Sequence, residues 1–143
     1  MSRSCVLLVL ALVLAGSAHA AAAGRAAPAI EFFRTPSKNI ACVYVPRAGP
    51  NSAMLRCDVL SGLRPEPRAR CQLDWTGVWM APRGRARPTC AGDTVNNLRA
   101  RTLAYGQTWR RGGFTCFSGT SGLRCTNGAR HGFFLSRSAW RIF

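Results

Sequence analysis

Acids and histidines are what this sequence has least of: five Asp and Glu and two His among 143 residues, against 20 Lys and Arg. So few titratable groups leave little room for acid–base catalysis, which needs a positioned proton donor or acceptor. Neither a GxGxxG nor a P-loop pattern occurs, so no Gly-rich phosphate cradle is written into the chain. A GxSxG nucleophile elbow is missing too. Structural zinc sites place thiolates two to four residues apart. Beyond the leader, the closest two cysteines have eight residues between them. No metal and no cofactor are expected.

What is present begins with that leader. Met1 to Ala20 has the parts of a secretory signal peptide: Arg3 at the start, the apolar run Val6 to Ala15, and Ala18-His19-Ala20 as a small-x-small cleavage site. The apolar run is about half of the ~20 residues a membrane span needs. Cys5 precedes the run, where a lipoprotein would need it after, and the leader holds no twin-Arg pair. Ordinary Sec export to a periplasmic or extracellular location is therefore the expectation. Removing residues 1–20 takes away Arg3, Cys5 and His19, leaving 19 basic groups, five acids, six Cys and His131. An even cysteine count in a small exported chain reads as three disulfides.

Residues 21–29 are small and featureless, a flexible lead-in. Residues 30–143 are expected to form one domain, acting as a monomer. Asn39 to Val45 alternates, with Ile40, Cys42 and Tyr44 on one face, and Ala53 to Leu60 does the same with Leu55, Cys57 and Val59. The Pro- and Gly-rich segment between them is a turn. Near the carboxyl end the pattern returns: Phe114-Thr115-Cys116 matches Ile40-Ala41-Cys42 in type, and Leu123-Arg124-Cys125 repeats Leu55-Arg56-Cys57. The two Cys pairs enclose fourteen and eight residues. Even numbers are required when two cysteines face each other across an antiparallel hairpin. Six cysteines allow fifteen pairings, of which register favours Cys42–Cys57 and Cys116–Cys125 and leaves Cys71–Cys90.

Arg64 to Arg70 and Arg83 to Pro88 are rich in Pro and Arg and read as exposed loops. Cys71 to Met80 reads as a strand with a turn at Gly77. Thr94 to Arg101 has the one helical potential, with Asp93 or Thr94 as its cap. Short β-like segments follow as far as Phe143. The fold class expected is all-β: a small disulfide-stapled antiparallel meander, open sheet or partial barrel, with at most one short helix.

Several motifs then fall in a familiar order: Phe33-Arg34-Thr35-Pro36-Ser37-Lys38-Asn39-Ile40-Ala41-Cys42, Cys90-Ala91-Gly92-Asp93-Thr94, Leu103-Ala104-Tyr105-Gly106-Gln107-Thr108-Trp109, and His131-Gly132-Phe133-Phe134-Leu135. The chain resembles a family of small exported bacterial proteins known only as a domain of unknown function. The resemblance implies an exported, Cys-bearing domain and brings no activity with it.

Function is read from the residues. Polyanion binding is the leading expectation, because a small surface with this excess of positive charge attracts phosphate- or carboxylate-bearing polymers. Of the 19 basic residues after the leader, 18 are Arg, whose planar fork suits bidentate contacts to such groups. Arg83, Arg85, Arg87, Arg110 and Arg111 are the candidate contacts, with Trp75, Trp79 and Trp109 as nearby rings for stacking. An anionic envelope polymer or lipid surface is the expected partner, with nucleic acid bound only non-specifically. A competing reading is a small secreted hydrolase in which Asp93 orients His131. A protein-binding inhibitor or adhesion factor is the third.

Overall fold

The structure, a computed structural model, describes residues 29–143; the leader at 1–20 and the lead-in up to residue 28 lie outside the described residues. Eleven strands form two sheets, and the described residues contain no helix. The first sheet is built from β1 (Glu31–Arg34), β2 (Ile40–Val45), β3 (Met54–Val59), β4 (Asp74–Met80), β5 (Arg87–Ala91) and β6 (Arg101–Thr102), in the order β5-β4-β3-β2-β1-β6. The second is a five-stranded meander of β7 (Thr108–Arg111), β8 (Phe114–Gly119), β9 (Gly122–Asn127), β10 (Gly132–Leu135) and β11 (Trp140–Ile142). All pairings are antiparallel except β1 with β6.

The alternating segments dictate how these sheets meet. Each strand turns one set of side chains inward, and those sets merge in one buried cluster drawn from both sheets. Phe33 of the first sheet lies 4.9 Å, ring to ring, from Trp109 of the second, and Tyr44 packs on both Trp109 and Phe114. The chain is thus two open sheets closed on a shared core.

The halves repeat each other in register. Phe33, Cys42, Cys57 and Val78 stand side by side across β1 to β4. Trp109, Cys116, Cys125 and Phe133 form the same row across β7 to β10. In each half the two central residues are a disulfide between directly opposed strands, with Cα atoms 4.1 Å and 4.0 Å apart, the narrow kind of antiparallel pair. Cys71–Cys90 is the third bridge and ties the loop before β4 to β5. The echo between the two LRC motifs therefore belongs to a duplicated meander.

Three local expectations need correction. At Gly77 the chain does not turn; β4 runs through it with a bulge between Trp75 and Gly77. Arg83 to Pro88 is not all exposed loop, because Ala86 is buried and Arg87 opens β5. Thr94 to Arg101 is not helical. It belongs to the link from β5, at one edge of the first sheet, to β6 at the other. Crossing five strand spacings takes about 24 Å at ~4.8 Å each, and eight helical residues at 1.5 Å rise span only about 12 Å. The link must be extended. Its polar side chains stabilise turns instead: Asn96 N–H donates to the Thr94 hydroxyl and Arg99 N–H to Asn97 Oδ1.

Candidate functional site

That extended link decides which surface is free. It crosses the outer face of the first sheet as a strap. Asp93 accepts from Arg56 of β3, Val95 N–H donates to Asp58 of β3, and Arg34 of β1 donates to the Leu98 carbonyl. Beneath it Ala41, Val43 and Asp58 are buried although they point away from the core. Nothing of the kind covers the outer face of the second sheet among the described residues.

Register orders that open face into a row, Thr108–Phe117–Arg124–Phe134–Arg141, running from β7 to β11. Phe117 is 46 % exposed. The Arg124 guanidinium lies 3.9 Å from the centre of the Phe143 ring, and Arg141 lies 5.8 Å from that of Phe134. Such contacts hold a guanidinium near a ring by cation–π attraction, which occupies none of its N–H donors. Arg110 projects from the same face, opposite Thr115. From Thr108 to Ile142 the sequence has six arginines and no acid. Cation and aromatic thus alternate on a face whose strands carry no acidic side chain.

The residues singled out in the sequence divide between places. Arg110 joins this face, but Arg111, its neighbour in an alternating strand, points the other way and sits 3.8 Å from Glu31. Trp109 is no surface ring: it is buried in the core, and its Nε1 donates to Glu31 Oε1 at 2.8 Å. Trp79 and Arg87 stand opposite each other on the strapped face, beside Arg56, and Arg83 and Arg85 sit in the loop between β4 and β5. The sequence alone does not single out Phe117, Arg124, Phe134 and Arg141. Their signal, aromatic and Arg at outward positions of adjacent strands, exists only once the register is known.

Asp93 and His131 are engaged separately. Asp93 Oδ1 takes Arg56 at 3.0 Å. His131 precedes β10 in the other sheet, and its N–H and carbonyl both bond to Asn127. No hydrogen bond joins the two among the described residues. Asp93 belongs instead to a cluster around Asp58, a carboxylate only 1 % exposed. Arg56 grips both Asp58 oxygens, at 2.9 Å and 3.0 Å, with Thr76 and the Val95 N–H as further donors. Burial works to lower the Arg56 pKa, but the hydrogen bonds and charges of Asp58 and then Asp93 outweigh it, so the guanidinium is held above its ordinary value. Asp58, Glu66, Asp74 and Asp93, four of the five acids in the chain, line a single 560 Å³ cleft beside this cluster. Among the described residues no group of three His, Cys, Asp or Glu is placed to hold a metal ion.

The family comparison agrees with the resemblance as far as a domain of unknown function. The family model described as "Family of unknown function (DUF6636)" matches residues 7–143. No curated protein and no solved structure matches the chain.

Proposed function

We propose a function for this chain, which belongs to the family of unknown function DUF6636: it is an exported binding module that engages an anionic envelope polymer or extracellular polyanion through the outer face of its second sheet. The observation that carries the reading is the row Phe117–Arg124–Phe134–Arg141 on an acid-free sheet. Guanidinium forks supply paired donors to carboxylate, sulfate or phosphate groups. Phe117, which is exposed, and Phe134, which is half-buried, offer rings beside them to flat or apolar parts of the same polymer. Export is supported by the leader and by three disulfides, which persist in oxidising compartments.

Retention on heparin, single-stranded DNA and anionic-lipid vesicles, followed as salt is raised, tests the proposal. One of the three should hold the protein to distinctly higher salt than the others. The variant R124S/R141S should lose that preference, and R68S/R70S, which removes equal charge from the loop before β4, should keep it. Release of all three at the same low salt, or equal effects of the two variants, would overturn it.

A further inference from the structure

A second feature stands apart from the open sheet face and does not depend on it. Where the β2–β3, β4–β5 and β7–β8 connections meet, at one end of the molecule, lies a cleft of 470 Å³, within the ~300–1,000 Å³ range of small-molecule sites. Its apolar wall is Ala53, Ala81 and Pro82, with Arg47 and Arg83 at its rim. Neither arginine has an ion-pair partner among the described residues.

The floor is Tyr44, which is only 5 % exposed. Its ring is fixed between Trp109 and Phe114. Its hydroxyl lies against Gly112, where an added Cβ would collide with it. No described residue hydrogen-bonds that hydroxyl, and it is not among the polar atoms sealed from solvent, so it is open to a partner in the cleft. The rim is pinned as well. Asn127 Nδ2 donates to the carbonyls of Ala81 and Gly84, on either side of Arg83, at 3.0 Å and 2.8 Å. A two-way backbone bridge between Ala48 and Asn51 closes the loop that carries Arg47.

We infer that this cleft binds a small amphiphilic anion: a carboxylate or phosphate held by Arg47, Arg83 and the Tyr44 hydroxyl, on an apolar body lying along Ala53, Ala81 and Pro82. Two cationic forks alone would take any anion. The apolar wall selects one with a short hydrophobic part, and the Tyr44 hydroxyl adds a neutral donor to the two forks. A free aromatic or acyl anion and the phosphate end of an anionic lipid share that chemistry.

The test is an NMR titration of the oxidised protein with phenyl phosphate, inorganic phosphate and benzyl alcohol. Phenyl phosphate should bind about tenfold or more tightly than either half alone, with amide shifts centred on Ala53, Ala81 and Gly112. Tyr44→Phe keeps the ring in the core and removes only the hydroxyl. It should weaken binding about tenfold, the worth of one hydrogen bond to a charged group. R47S/R83S should abolish binding, and R124S/R141S should leave it unchanged. Binding to phosphatidylcholine vesicles doped with phosphatidic acid then separates the sources: sensitivity to Tyr44→Phe identifies the lipid, and insensitivity identifies the free anion. Equal affinity for phenyl and inorganic phosphate, shifts centred elsewhere, or unaltered phenyl phosphate binding by Tyr44→Phe would overturn the inference.

Discussion

Asn127 and Arg56 show how much a single side chain decides here. Asn127 is buried, and all four of its hydrogen-bonding positions are filled. Its Nδ2 gives to Ala81 and Gly84 in the first half, and its Oδ1 receives from Ala129 and His131 in the second. In the sequence Asn127-Gly128 reads only as a turn signal, and the turn is there; the tether between halves is visible only in space. Asn127→Ala removes four part-buried hydrogen bonds at once, and stability measured by denaturant unfolding should fall by about 2–4 kcal/mol. Arg56 and Arg124 occupy the same place in the two LRC motifs and do different work. Arg56 is spent on Asp58 and Asp93; Arg124, with Thr126 where Asp58 stands, is left on a ring in the open. Arg56→Leu abandons a buried carboxylate and should cost about 3–5 kcal/mol, while adding Asp58→Leu should recover most of the loss. Unfolding free energies of the single and double variants give the coupling, and additive losses would contradict the assignment. Because the folded Arg56 pKa is raised, its stabilisation is complete below the unfolded arginine value and is lost only as pH rises through the higher folded one. The guanidinium therefore adds no pH dependence to stability near neutrality.

Duplication at the level of elements extends to two glycines. Gly77 and Gly132 sit at the same register, next to Asp58 and Thr126, and a Cβ at either would strike a neighbouring backbone carbonyl, that of Cys57 or of Cys125. Backbone cannot step aside as a flexible side chain can, so Gly77→Ala and Gly132→Ala should each cost about 2 kcal/mol or more. At Gly92 a Cβ would meet only the Leu73 side chain at ordinary contact distance, and Gly92→Ala should lie within ~0.5 kcal/mol of the parent in the same unfolding measurement. Much of this architecture was legible. Period-two alternation and even cysteine spacing were enough for the β2–β3 and β8–β9 hairpins, their opposed disulfides and the coincidence of their apolar faces. The strap was not, because Asp93 to Asn97 carries good capping and turn residues whatever the chain does next. Only the distance from β5 to β6 forbids the helix. Nor was the burial of Trp109, since one aromatic in Thr108–Arg111 says nothing about which face of β7 meets Phe33.

Net charge alone made the whole molecule look uniformly positive, and it is not. All five acids fall between Glu31 and Asp93, four of them around one cleft, so the first half carries its own counter-charge. The second half has none from Thr108 to Ile142. This separation turns a question about composition into one about geometry. An Arg bias produced by composition alone would attract polyanions in proportion to charge, wherever the arginines lie. Recognition by the open face would depend on Arg110, Arg124 and Arg141 and be indifferent to the rest, because at physiological salt exposed charges are screened within about 8 Å. Each phosphate contact contributes ~0.7–0.9 to the slope of log affinity against log salt. The variant R110S/R124S/R141S should therefore flatten that slope by about 2, measured by fluorescence titration of a labelled oligoanion. R68S/R70S/R99S removes the same charge from the loop before β4 and from the strap, and should change the slope by less than about 1. Equal flattening by both would mean that the charge acts as a diffuse field and that the ordering of the second sheet's outer face has no part in binding.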